Sequence, residues 1–165
     1  MSSRDVPHIT RLLSSGDLPG MGSFVVVSPV GKHVGADTPA GIIAQVALDI
    51  ACSIQRMWVA ASTLHGDVSA NNILVTTDGR GLLVDFGSAL VGPGSCGKQR
   101  VTGTVLFSAF SVLWGECNTV SSDLESLFYS LLYMALDGEV CWKLGQERTL
   151  TQILPSSTPP SSMLC

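Results

Sequence analysis

Apolar and polar positions alternate with different periods along the chain, and each period marks an element. Phe24, Val25, Val26 and Val27 form a run rich in β-branched residues that ends at Ser28-Pro29. It predicts a strand entering an extended segment, because proline removes a ladder donor. Ile43, Val46, Ala47, Ile50, Ile54, Met57, Trp58 and Ala61 then recur at helical spacing. Thr38-Pro39 opens that helix, with Thr38 as N-cap and Pro39 at the first helical position. Ile73 to Thr76 and Leu82 to Asp85 flank Thr77-Asp78-Gly79-Arg80, and Asp-Gly between two apolar runs predicts a β-hairpin. Ser122 and Glu125 have capping-box spacing, opening a second helix whose Leu124, Leu127, Phe128, Leu131, Leu132 and Ala135 form a broad apolar face closed by Gly138.

Between these elements the pattern breaks down. Residues 1–22 are mixed in polarity and carry Gly16, Gly20 and Gly22, which predicts an irregular lead with one helical turn near Ile9 to Leu13. Phe86 to Gly103 is rich in Gly and Ser and reads as a long loop. Residues 155–165 follow with Ser, Thr and Pro and read as a disordered tail. One domain over residues 23–154 is the expectation.

Composition narrows the function classes. The 165 residues carry 13 Asp and Glu against 9 Lys and Arg, a net charge of -4, which argues against a nucleic-acid partner held by a basic face. Charged residues make up 13%, about half of the usual ~25%, while 45% are hydrophobic, so a core forms and little charge is left to cover the outside. Open apolar surface on the helices around Ile43 and Leu127 predicts a protein partner there. The longest uncharged runs are broken by Gly, Ser or Pro and predict no membrane span, and the N-terminus lacks a signal pattern, so an intracellular, cytoplasmic protein is expected. Cysteines at 52, 96, 117, 141 and 165 form no close pair and read as reduced, mostly buried thiols.

The chemistry concentrates in His65-Gly66-Asp67, Asn72 and Asp85-Phe86-Gly87. A loop places Asp67 and, five positions on, Asn72, and the hairpin then delivers Asp85, eighteen positions after Asp67. Two acids and an amide converging on one cleft suit phosphoryl transfer, where metal ions are held against phosphates and a hydroxyl nucleophile is oriented. Taken singly, an Asp beside Gly is a turn residue and Asn71-Asn72 a cap; the joint pattern is specific.

These residues resemble the protein-kinase superfamily: His65, Asp67 and Asn72 meet H-x-D-x-x-x-x-N, and Asp85, Phe86 and Gly87 meet D-F-G. Gly103-Thr104, Phe107 and Ala109-Phe110-Ser111 resemble the end of an activation segment. Residues 122–126, with Ser28 to Gly31 and Ser69, are similar to the fungal-type protein kinases in particular. The resemblance implies an α+β, mainly α, large-lobe fold with a catalytic-loop hairpin and the small lobe largely missing. It implies ATP and Mg²⁺ as cofactors and Ser/Thr hydroxyls of an unspecified protein as substrate. Asp67 would be the catalytic base, Asn72 and Asp85 the metal ligands, and Asn72, Asp85, Phe86 and Gly87 the cofactor-binding set. Thr104 would contact the catalytic loop near Asp67, and Ser69 would stand where many kinases carry a Lys on the transferring phosphoryl. His65 and Asp123 would be structural, Asp123 tying its helix to the catalytic-loop backbone.

Departures shape the expectation. Only 22 residues precede Ser23, too few for a Gly-rich loop, a strand Lys and its helix. Gly66 stands in place of an Arg, and Ser111 in place of the Glu of A-P-E. The absent Gly-rich loop and strand Lys predict that the isolated fragment is inactive, and the absent small lobe, Ser111 and the open apolar helices keep open a pseudokinase-like binding module. A small-molecule phosphotransferase of the aminoglycoside or choline kinase type shares His-Gly-Asp and the Asn, but generally lacks D-F-G followed by G-T.

Overall fold

A computed structural model describes residues 6–35, 37–92 and 104–140. Among them the fold is mixed α+β, built from helices and short antiparallel sheets. Strands β1 (Arg11–Leu18) and β2 (Gly22–Ser28) pair as a two-stranded sheet, and β3 (Lys32–His33) leads to helix α1 (Ala40–Ala61). Next come β4 (Thr63–Leu64), β5 (Ile73–Val75), β6 (Gly81–Leu83) and β7 (Leu90–Val91), a 3-10 turn over Val105–Phe107, and helices α2 (Phe110–Leu113) and α3 (Val120–Ala135). The second sheet runs β3-β5-β6, and β4 pairs with β7.

The core is the inward stripe of α1. Val46, Ile50, Ile54 and Met57 are buried against Ile73 and Val75 of β5, Leu83 of β6, and Leu127 and Met134 of α3. Each such aliphatic contributes about 1.5–3 kcal/mol when fully buried. α1 is, by length and hydropathy, also long and apolar enough to cross a bilayer. In this fold its inward face also carries Asp49 and Ser53, both buried and both hydrogen-bonded.

The β5–β6 hairpin is pressed onto α1 at two points. A side chain at Gly81 would meet the Val46 carbonyl oxygen and the Asp49 Cβ, each at 3.0 Å, so only glycine lets strand and helix backbones approach. Asp49 then accepts from Arg80 Nη2 at 2.7 Å, Arg80 Nε at 2.8 Å, the Gly81 N–H at 2.9 Å and Gln45 Nε2 at 2.9 Å. Burial works to raise the Asp49 carboxyl, but these donors and the nearby His8 outweigh it and hold the pKa down at about 2.

The N-terminal segment departs from the expected irregular lead. Residues 11–18 form a full strand, because they pair with β2 from Arg11↔Ser28 to Leu18↔Gly22 across a tight turn at residues 19–21. The expected helical turn near Ile9 is absent: the Leu83 N–H donates to the His8 carbonyl, the Thr10 N–H donates to the Leu83 carbonyl, and Ser53 Oγ donates to the Pro7 carbonyl. Cross-strand pairing here overrides local composition, a non-local effect that a window of residues does not report.

Other boundaries shift for similar reasons. α1 begins at Ala40 with Pro39 as N-cap, while Thr38 Oγ1 accepts from the Gly35 N–H. α3 begins earlier than Ser122, since Thr119 is the N-cap and Ser122 closes the capping box from the third helical position. The expected loop after Phe86 contains β7, and residues 93–103 and 155–165 lie outside the described residues. Cys117 is disulfide-bonded and Cys52 is exposed, so the expectation of five reduced, mostly buried thiols fails; spacing in sequence does not reveal cysteines joined by folding.

Because Asp49 is held near 2 against an ordinary 3.8, it contributes about 2 kcal/mol of stability above pH 4. That contribution fades as pH falls from about 4 through 2. Urea unfolding of Asp49→Asn at pH 7 and pH 3 should show a loss at pH 7 that shrinks at pH 3.

Candidate active site

The site is assembled where four segments meet: the loop 65–72, the base of the β5–β6 hairpin, the turn at Thr104 and the start of α3. Asp123 is the fixed point. Its side chain is buried, and it accepts the His65 N–H on Oδ2 at 2.7 Å and the Gly66 N–H on Oδ1 at 3.0 Å. Burial pushes its carboxyl above the ordinary range, opposed by those two N–H groups. The loop can take this path because residue 66 is glycine. Its φ is +75°, and a Cβ there would lie 2.7 Å from the Ser88 carbonyl oxygen. An Arg at this position is sterically excluded by the loop's own crossing.

His65 is fully buried. Its Nδ1 accepts the Asp67 N–H at 3.3 Å, which assigns the proton to Nε2, donating to the Val84 carbonyl at 3.0 Å. Burial lowers its pKa, so the ring is neutral and serves as a spacer between loop and hairpin. Phe86 packs edge-on to it with ring centroids 4.9 Å apart.

Asp67 is oriented through both carboxylate oxygens. Oδ1 accepts the Thr104 main-chain N–H at 2.8 Å, and Oδ2 accepts Asn72 Nδ2 at 3.3 Å. Asn72 Nδ2 also donates to the Asp67 carbonyl at 2.9 Å, which leaves its Oδ1 without a partner among the described residues. The Asn72 carbonyl accepts the Val84 N–H at 3.0 Å, so the hairpin ladder carries Asn72 and the neighbouring Asp85 together. Asp85 is exposed and held at a φ of +62°, uncommon for a non-glycine residue. One of its oxygens accepts the Gly87 N–H at 3.1 Å.

Thr104 thus reaches Asp67 through its backbone. Ser69 is fully buried, its hydroxyl finds no partner among the described residues, and its carbonyl accepts the Asn72 N–H. The hydroxyl lies inside the loop and is closed to solvent in this conformation. Beyond the expected set, Glu125 accepts the Phe110 N–H at 3.0 Å and the Tyr129 hydroxyl at 2.9 Å, joining α2 to α3. Sequence reasoning placed Glu125 in a capping box; nothing local signals that it faces α2.

Among the described residues no three His, Cys, Asp or Glu side chains converge as a metal site. Asn72 Oδ1 and one Asp85 oxygen nevertheless offer two unspent hard donors on one hairpin, the number Mg²⁺ commonly takes from protein when phosphates and waters complete its shell.

The sequence profile of the fungal protein kinases matches residues 21–135. The chain belongs to the fungal protein kinase family. It is also 30% identical over 165 aligned residues to the serine/threonine-protein kinase PknK of Mycobacterium tuberculosis strain CDC 1551 / Oshkosh, and at the same identity to those of strain ATCC 25618 / H37Rv and of Mycobacterium bovis strain ATCC BAA-935 / AF2122/97. Each alignment covers 93% of this chain and 14% of the relative, so the chain spans about one seventh of the length of these kinases. Kinases of this family use ATP in general.

Removing the Asp123 carboxylate leaves two buried N–H groups unsatisfied, at about 1–3 kcal/mol each. Asp123→Ala should therefore lose about 3 kcal/mol or more by urea unfolding. The amides of His65 and Gly66 should lose hydrogen-exchange protection before those of α1.

Because His65 binds its proton less readily folded than unfolded, stability falls as pH drops below its unfolded pKa of about 6.5. Titration by NMR should find its ring neutral, with the proton on Nε2, at pH values where an exposed histidine is already charged.

Proposed function

We propose that these residues form the phosphoryl-transfer site of a protein Ser/Thr kinase, within a large-lobe fold. Asp67 is the base, and Asn72 and Asp85 hold Mg²⁺ against the phosphates of ATP. The observation that carries this reading is the two-sided grip on Asp67, by the Thr104 N–H and by Asn72 Nδ2, which fixes a carboxylate while leaving it able to accept a proton. As the substrate oxygen attacks the γ-phosphorus, the bond to the bridging oxygen of ADP breaks and the hydroxyl proton passes to Asp67. Bound Mg²⁺ supplies charge neutralisation at the phosphates. His65 and Asp123 position the loop, and Ser69 is packed within it, its carbonyl accepting the Asn72 N–H.

A partner-binding module without catalysis is the second reading, favoured by the exposed Leu48 and Val59 on α1 and Leu124 and Phe128 on α3. In the full chain that contains this domain, Asp67→Asn should lower phosphate transfer from ATP to Ser/Thr substrate by about 10²- to 10⁴-fold with the fold unchanged. Asp85→Asn should lose Mg²⁺-dependent nucleotide binding measured calorimetrically. Full transfer by Asp67→Asn would overturn the kinase reading; partner binding indifferent to both substitutions, with no transfer by wild type, would establish the second.

A further inference from the structure

Away from the site, His8 stands where three elements meet. Its segment, residues 6–10, runs beside β6, whose other neighbour is β5. The Leu83 N–H donates to the His8 carbonyl at 2.8 Å, and Ser53 Oγ of α1 donates to the Pro7 carbonyl at 2.8 Å. The backbone around His8 is thus pinned to both β6 and α1. From it the ring places Nε2 3.3 Å from Arg80 Nη2 and 3.5 Å from Asp49 Oδ1. We infer that His8 is a proton-operated exchange point on Asp49: neutral, it leaves Asp49 bound to Arg80 and the hairpin end tied to α1; protonated, it takes the place of Arg80 and releases it. The inference is independent of the kinase reading.

The hydrogen-bond inventory sets up the competition. A guanidinium has donors only, so in the contact at 3.3 Å Nε2 of His8 is the acceptor and the single ring proton sits on Nδ1. Asp49 Oδ1 accepts from Arg80 Nη2 at 2.7 Å and Gln45 Nε2 at 2.9 Å, and Oδ2 accepts from Arg80 Nε at 2.8 Å and the Gly81 N–H at 2.9 Å. A carboxylate offers about four lone-pair sites, and all of them are taken. When Nε2 binds a proton it changes from acceptor to donor. The bond from Arg80 is lost, two cations face each other at the same distance, and the imidazolium reaches Asp49 only by displacing a donor.

Arg80 is the donor that leaves. Its side chain is 46% exposed, against 4% for that of Asp49, so water receives it at little cost. Gln45 is neutral and not repelled, and the Gly81 N–H is fixed by the close packing of the hairpin on α1. The charged groups around the ring are Asp49 from α1 and Arg80 from the hairpin, with Asp78 beyond Arg80 on the turn, where it attracts the guanidinium away from Asp49. Residues 6–10 bring no other charge. One cation replaces another, so the buried carboxylate stays paired throughout. Asp49, held at about 2, remains ionised over the range in which histidines change charge, about pH 8 to 5.

The test is heteronuclear NMR of the full chain across that range, following hydrogen exchange of the Arg80 Nε–H beside that of the Gly81 main-chain N–H. Corrected for the intrinsic pH dependence of exchange, Arg80 Nε–H protection should fall about three- to fivefold towards the acid end, in step with the His8 ring signals. Gly81 protection should hold, because Oδ2 still accepts its N–H. His8→Asn removes the titrating ring and keeps the backbone, since asparagine tolerates the φ of +59° at this position. In that variant Arg80 protection should stay flat. By urea unfolding, Arg80→Ala should cost the wild type more at the neutral end than at the acid end, and cost His8→Asn the same at both.

Arg80 protection that does not change with pH, a fall of equal size in His8→Asn, or an Arg80→Ala loss that is the same at both ends in the wild type would each overturn the inference. So would loss of Gly81 protection together with that of Arg80, which is local unfolding of the hairpin and no exchange of partners. His33 and His65 are present in both proteins, so their titration cancels in the comparison.

Discussion

A buried carboxylate that bonds only main-chain N–H groups holds this domain's site together. Asp123 sits in the first turn of α3, yet its two oxygens are spent on the amides of His65 and Gly66, 58 and 57 positions earlier. Burying a carboxylate is costly, and the cost is offset only while both amides stay in place. The loop and the helix therefore move as one body. From the two amides the order extends outward: His65 is aimed at Val84, its Nδ1 receives the N–H of Asp67, and Asp67 is thereby set opposite Thr104.

The hairpin supplies the second coordinate. Its register, Ile73↔Leu83, puts Asn72 opposite Val84 and so beside Asp85. That register would be worth little if the hairpin could slide over α1, and two contacts prevent it. Gly81 admits the α1 backbone at close range, and the Arg80–Asp49 pair locks the hairpin end to the helix. Asp49 differs from an exposed ion pair because the carboxylate is buried and also takes a backbone N–H, so its loss exposes unmet polar groups as well as a missing charge.

What the sequence revealed was local. The α1 stripe from Val46 to Met57 and the Asp-Gly hairpin are periodic or turn-coded, and both occur where the pattern put them. The motif residues of the site were legible because their spacing is unusual, and the fold brings Asp67, Asn72, Thr104 and Asp123 into one hydrogen-bonded network with His65. Strand β1 was not legible, since Ser14, Ser15 and Gly16 have poor strand propensity and gain their conformation from β2. The role of Gly66 was also hidden. From sequence it is a missing Arg; in the fold it is the residue that lets the loop cross Ser88. Thr119 and Ser122 outcompeted the expected Ser122–Glu125 cap because Glu125 has a better use across the gap to α2.

That last exchange explains how a chain with so little charge can hold a site whose usual ion-pair anchors are substituted. Three carboxylates each secure a different segment by accepting from its backbone: Asp123 the catalytic loop, Asp67 the Thr104 turn, Glu125 the start of α2. A backbone N–H is present whatever side chain the segment carries, so Gly66 and Ser111 remove side-chain partners without releasing the segments those partners would have held. The anchoring is then insensitive to side-chain charge on the loops and sensitive to their backbone path. Substitutions that bend the path, such as any Cβ at residue 66, are therefore more damaging than substitutions that alter the loops' polarity.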